Sequence, residues 1–330
     1  MIDLKNTEII FTLQTVRQAS QMVLQIQSEM VNASLTKDDR SPVTIADFAS
    51  QALVAKLLCE AFPGDPLVAE EDATALRLSS EKHKLEAITG FIAEIIPQAN
   101  PESVCTWIDR GSNEPARRFW TLDPIDGTKG FLRGDQYAIA LALIVDGQVQ
   151  VGALGCPKLN RGFQPDINGA GSLVIAARGQ GSWVIPLSGP GSFERLRVSQ
   201  CKEPSQARLL RSFESSHTNV EKIDRFVEAL GIAGEMVRMD SQAKYAVLAS
   251  GHGELVMRLL SPSKPDYREK IWDQASGALI IEEAGGQITD LHGKGLDFTA
   301  GKTLVKNQGV LASNGYLHMA AVQALSAVGA

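Results

Sequence analysis

The chain has 330 residues, 44% of them apolar and 21% charged, with a formal net charge of −6 and a pI near 5.5. That length and apolar content suffice for a sizeable core in one or two closely packed domains, and no biased tract points to disorder. The acidic balance excludes a general nucleic-acid or anionic-membrane surface, because either needs a basic face; an anionic ligand must be met locally, by a few bases or by bound cations.

The opening residues, Met1-Ile2-Asp3-Leu4-Lys5-Asn6, carry neither the basic start nor the apolar run of a signal peptide, and no later stretch is long and apolar enough to span a bilayer. The expected location is the cytoplasm. Cys59, Cys105, Cys156 and Cys201 lie too far apart for a zinc knuckle or redox pair and read as reduced structural thiols. From Thr7 to about Ser34 apolar residues recur at helical spacing, through Ile9, Leu13, Val16, Val23, Ile26 and Met30, and predict a long amphipathic helix. A polar turn, Lys37 to Ser41, feeds a second helix with Ala49, Ala52, Leu53, Leu57 and Leu58 on one side. Asp47 is expected near its first turn, where the helix dipole alone favours a carboxylate.

Leu67-Val68-Ala69 reads as a short buried strand that ends in the acids Glu70-Glu71-Asp72, and residues 81–96 read as a helix followed by an irregular Pro, Asn and Gly stretch. Trp120, Thr121 and Leu122 then have strand character, and Pro124, with no N–H for a ladder, places Asp123 at the strand tip. Asp126 follows, and Gly127 permits a sharp turn before the Thr128 hydroxyl. Two carboxylates, the Ile125 carbonyl between them and a hydroxyl are hard oxygen donors that suit Mg²⁺ better than zinc, although the same residues also make ordinary turns. The acids at 70–72, at a second strand tip, are the next source of ligands.

Two apolar runs joined at Asp146-Gly147 predict a hairpin, and residues 157–171 read as loop. Further strands are expected at 173–177 and 182–185. From about Glu194 the rhythm changes to alternating strands and helices, ending with a strand at 310–312 and a helix at 316–327. Asp273, behind Trp272, stands at the predicted start of a helix that stops at Gly285-Gly286; capping is its simplest role.

Asp123-Pro124-Ile125-Asp126-Gly127-Thr128 resembles the signature of the Mg²⁺-dependent, lithium-sensitive phosphatase superfamily of inositol monophosphatase, fructose-1,6-bisphosphatase and 3′(2′),5′-bisphosphate nucleotidase. Trp272 to Gly286 resembles its second signature, and Lys37 to Asp47 is similar to the segment that supplies its catalytic aspartate. Lys129-Gly130-Phe131 looks like the nucleotidase branch. The resemblance covers nearly the whole chain. It implies a layered α/β/α/β/α sandwich, with an α+β part at residues 1–193 bearing most metal ligands, an α/β part at 194–330, and the site between them.

By the same resemblance, Glu70, Asp123 and the Ile125 carbonyl would hold one Mg²⁺, Asp123, Asp126 and Asp273 a second, with a third, weaker ion near Glu70. Asp47 and Thr128 would orient and deprotonate water, and the Gly127 and Thr128 N–H groups would receive phosphate oxygens. His217 in Ser215-Ser216-His217, Ser241, Lys244 and Arg258, together with Asp273, would meet the substrate. The implied reaction is hydrolysis of the 3′-phosphate of adenosine 3′,5′-bisphosphate to AMP, and of its 5′-phosphosulfate analogue PAPS, by a lithium-inhibited monomer in a setting of sulfate assimilation. An inositol polyphosphate 1-phosphatase or inositol monophosphatase is the alternative within the superfamily. A metal-binding regulatory protein is the alternative outside it, and it would have no need of Asp47 and Thr128.

Overall fold

The computed structural model describes residues 2–31, 41–166, 168–213 and 220–330. Helix α1 (Thr7–Ile26) starts where the Asn6 side chain accepts the Ile9 N–H at 2.9 Å, and it buries Ile9, Val16, Val23 and Ile26 as the periodicity predicts. It widens into a π-turn over Gln27–Val31, and Ser34 lies outside the described residues. Helix α2 (Ser41–Ala61) packs beside it. Asp47 is therefore well inside α2 rather than in its first turn, so dipole stabilisation does not explain it.

Strand β1 (Leu67–Ala69) is followed by α3 (Lys82–Ala93) and α4 (Pro101–Asp109). The stretch expected to be irregular thus holds a helix, because Asn100 and Ser103 form a reciprocal cap with both N–H contacts at 3.0 Å and Pro101 occupies the first turn. Strand β2 (Arg118–Asp126), the short helix α5 (Thr128–Arg133), and strands β3 (Ala138–Val145) and β4 (Gln148–Cys156) come next. Asp146 and Gly147 turn between β3 and β4 with φ of 50° and 74°, the left-handed pair that a two-residue hairpin needs. A small ribbon of β5 (Leu159–Asn160) and β6 (Gln164–Pro165) precedes β7 (Ser172–Ala177), β8 (Gly181–Pro186) and β9 (Glu194–Leu196). These strands make a seven-stranded sheet in the order β1-β2-β3-β4-β7-β8-β9, with only β1 and β2 parallel.

The rest of the chain adds β10 (Leu209–Arg211), α6 (Val220–Leu230), β11 (Val237–Arg238), α7 (Ala243–Ala249) and β12 (Leu255–Arg258), and then α8 (Ala275–Glu283), β13 (Gln287–Thr289), β14 (Val310–Ser313) and α9 (His318–Ala327). Their five-stranded sheet runs β11-β10-β12-β14-β13, with β11, β10 and β12 parallel. Three apolar clusters stack the layers. The first joins α1 to α4 to one face of the large sheet through Trp120, Leu122 and Leu141, and the second joins its other face to α7, α8 and the small sheet through Phe119, Leu279 and Val256. The third joins the outer face of the small sheet to α6 and α9 through Leu255, Phe226 and Leu325. The architecture is the layered α/β/α/β/α sandwich.

No helix among the described residues is long and apolar enough to cross a membrane. The four cysteines are unpaired thiols.

Candidate active site

The parallel register of β1 on β2, with Ala69 opposite Leu122, delivers Glu70 and Asp123 side by side at one end of the large sheet. Strand β2 does not end at Asp123 as expected. It pairs Asp123 with Ala140 and then Asp126 with Ala138, so the chain advances three residues while its partner advances two. Pro124 sits inside this bulge, where its missing N–H breaks no ladder bond. Ile125 buries its side chain in the core and still lines the cavity beside Asp123 and Asp126. From below, α2 meets the bulge, with Ser50 Oγ donating to the Pro124 carbonyl at 3.2 Å, and presents Asp47.

Gly127 carries φ of 90°, and a Cβ there would come within 2.9 Å of Ser241 Cβ; one on Gly130 would come within 2.1 Å of the Gln136 carbonyl oxygen. Only glycines let α5 seat so closely against Ser241 and the chain entering β3. On that side Ser241 is itself strained to φ of 66°, its Oγ accepts the Ala243 N–H at 3.1 Å, and the next N–H, of Gln242, donates to Asp126 Oδ2 at 2.6 Å.

These acids are hard to ionise together. Burial, then the charges of Glu71 and Glu70, hold the Asp47 carboxyl well above its usual range, and burial followed by Asp126 and Glu70 does the same to Asp123. Burial raises Asp126, although Lys244 and Arg258 pull it back. It pushes Asp273 up to about 8 against the pull of Arg258. Glu70, more open at the rim, is raised to about 7 by partial burial and by Glu71 and Asp126, with Lys270 opposing. A cation among such groups would relieve desolvation and repulsion at once.

Buried oxygens without a hydrogen-bond partner include Asp47 Oδ1 and Asp123 Oδ1, the orphaned hard donors a divalent cation or an ordered water would satisfy. Among the described residues, no three His, Cys, Asp or Glu side chains are gathered closely enough to hold an ion as they stand. The hard oxygen donors that remain unpartnered fit Mg²⁺. Thr128 is exposed at the start of α5, and among the described residues no hydrogen bond joins it to Asp47.

The cavity, about 670 Å³, brings together Glu70, Asp123, Ile125, Asp126, Gly127 and Thr128 with Ser241, Lys244, Arg258 and Asp273. Lys244 donates to Ser212 Oγ at 3.2 Å and to the Met239 carbonyl at 3.4 Å, and burial lowers its ammonium to about 8. Burial works against the Arg258 guanidinium, but Glu269 and Asp273 outweigh it and hold it above its usual value. Asp273 does not cap α8, which starts two residues later with Gln274 at its N-cap; it faces Arg258 Nη1 at 3.8 Å instead. His217 lies outside the described residues. Sequence reasoning missed Gln242, Glu269 and Lys270, all of which line the cavity. Gln242 follows Ser241 directly and Lys270 stands two positions before the Trp272 to Gly286 signature, so adjacency was the available signal.

The profile of the inositol monophosphatase family matches residues 5–329. A Schizosaccharomyces pombe protein named 3′(2′),5′-bisphosphate nucleotidase is 39% identical over 333 residues, spanning 95% of this chain and 93% of its own. One of the same name from Emericella nidulans is 41% identical over 323 residues, spanning 90% and 91%. Among solved structures, Mycobacterium tuberculosis SuhB superposes with a TM-score of 0.63 at 21% identity, covering 97% of this chain and 96% of that one. Thermotoga maritima IMPase TM1415 gives 0.63 at 19% identity and 97% of each chain. At that identity the structures speak for the fold alone.

Proposed function

The chain belongs to the inositol monophosphatase family, and from that premise we propose that it is a metal-dependent phosphomonoesterase that removes the 3′-phosphate of adenosine 3′,5′-bisphosphate, leaving AMP and phosphate. The observation that carries this reading is the single cavity in which four acids, Glu70, Asp123, Asp126 and Asp273, face the half-buried cations Lys244 and Arg258. Acids alone would suit any phosphate ester brought by metal; added cations suit a substrate with a second anionic group. The names of the relatives support the choice of nucleotide.

In this reading Glu70, Asp123 and the Ile125 carbonyl hold one Mg²⁺, Asp123, Asp126 and Asp273 a second, and a third binds weakly near Glu70. Bound Mg²⁺ supplies Lewis acidity, lowering the pKa of water and neutralising charge on the phosphate oxygens. Asp47, buried with an unpartnered oxygen, is the base, and the Thr128 hydroxyl orients the water whose proton it takes. Water attacks phosphorus, the bond to the 3′-oxygen breaks, and that oxygen takes a proton from solvent water to leave as the 3′-hydroxyl of AMP; no covalent phosphoenzyme is needed. The Gly127 and Thr128 N–H groups meet the phosphate, and His217, Ser241, Lys244 and Arg258 hold the nucleotide, with PAPS as a further substrate.

The division near residues 193 and 194, a monomeric cytoplasmic enzyme of sulfate assimilation and inhibition by Li⁺, which matches Mg²⁺ in size without its charge, belong to the same reading. The test is phosphate release with Mg²⁺ from adenosine 3′,5′-bisphosphate, inositol 1,4-bisphosphate and inositol 1-phosphate, each with and without lithium, beside Asp47→Asn. Lithium-sensitive turnover fastest on the nucleotide and lost in Asp47→Asn is expected. Fastest release from an inositol phosphate would make this an inositol phosphatase, and no release from any would leave a metal-binding protein.

A further inference from the structure

Arg258 reaches the cavity from the end of β12 with 38% of its side chain exposed, yet its neighbour Glu269 is almost wholly buried, at 2%. The carboxylate Oε2 lies 3.1 Å from Arg258 Nε and accepts a hydrogen bond from Gln274 Nε2, also at 3.1 Å. Gln274 is fixed in turn, since its Oε1 accepts the buried Tyr245 hydroxyl at 2.6 Å. The main chain of Glu269 is held too, its carbonyl accepting the Leu304 N–H at 2.8 Å. A charge buried this completely is costly unless a partner offsets it, and the only cation paired with it among the described residues is Arg258.

We infer that Glu269 is a positioning residue: it holds Arg258 by the Nε edge, turns the other edge of the guanidinium into the cavity toward the substrate's second phosphate, and keeps Arg258 from collapsing onto Asp273. The rival partner is close, since Arg258 Nη1 lies 3.8 Å from Asp273 Oδ2. A guanidinium is planar with donors on both sides, so an anion ion-paired on its Nε side leaves the donors of the other side for a second anion. Without Glu269 the guanidinium would swing to Asp273, lost both to the phosphate and to the metal site. The inference rests on the nucleotide reading of the site.

The test is steady-state kinetics of Glu269→Gln on adenosine 3′,5′-bisphosphate and on inositol 1-phosphate, which has no second phosphate. The nucleotide's KM should rise about tenfold more than the inositol phosphate's, with its kcat falling by less than about threefold, and the double variant Arg258→Met/Glu269→Gln should have the same nucleotide KM as Arg258→Met. Equal losses on both substrates, a fall in kcat alone, or additive losses in the double variant would overturn it. Should Glu269→Gln not fold, Gln274→Leu leaves both charges in place and should raise the nucleotide's KM about threefold; an unmoved KM would overturn the inference equally. A wild-type protein inactive on the nucleotide would remove the parent reading and this inference with it, whereas an active wild type with an indifferent Glu269→Gln would remove this inference alone.

Discussion

The acid wall and the basic wall of the cavity are built in opposite ways. The acids of the large sheet come from short contiguous stretches, Glu70 just past β1 and Asp123 to Asp126 in the bulge of β2, placed by one strand register. The cations of the small sheet stand singly, Lys244 on α7 beside Ser212 and Arg258 on β12 beside Glu269, each held by one or two side chains rather than by a strand register. The acids of the large sheet are thus placed by strand pairing, whereas the cations are placed by individual side-chain contacts.

The sharpest way to break that division is Asp123→Asn, which removes the acid proposed above to serve both ions. Phosphate release from every substrate should fall by about 10³-fold or more. If only the nucleotide suffered, the acid wall would be a specificity element and the comparison would fail.

The next test uses pH. An acid whose folded pKa is raised contributes stability that is fully present below its unfolded value, roughly 4, and lost as pH rises through the folded value. For Asp273 that folded value is about 8 and for Glu70 about 7. With a chelator, the melting temperature should therefore fall between about pH 5 and pH 8, by roughly 5 °C or more, and saturating Mg²⁺ should flatten the fall because its binding displaces protons. A chelated protein that gained stability through this window would show that the acids are not the strained wall described above.

A smaller effect is expected at the seam. Gly130→Ala would press a methyl into the Gln136 carbonyl oxygen and should cost about 1–3 kcal/mol by chemical denaturation. A neutral result would mean that α5 does not seat tightly against the chain entering β3. Smallest is Asn100→Ala, remote from both walls, which removes the α4 cap and should cost about 1 kcal/mol with no change in kcat/KM.

A local-to-distant gradient governs what the sequence made legible. The stripe of α1, strand β1 and the Asp146-Gly147 hairpin were readable because each follows from residues a few positions apart. Helix α4 was not, because Asn100 and Pro101 read as loop residues although together they begin a helix. Nor was the continuation of β2 through Pro124, since a bulge is a property of two strands. Nor was Glu269, whose place depends on pairing with the chain at Thr303 and Leu304, far away in sequence.

The central claim is that the basic wall selects the nucleotide while the acid wall supplies the chemistry. It is tested most directly by the ratio of kcat/KM for adenosine 3′,5′-bisphosphate over inositol 1-phosphate, measured with Mg²⁺ in the wild type and in Lys244→Met. The ratio should favour the nucleotide in the wild type and drop by about tenfold or more in the variant. An unchanged ratio, with both substrates slowed alike, would contradict the account.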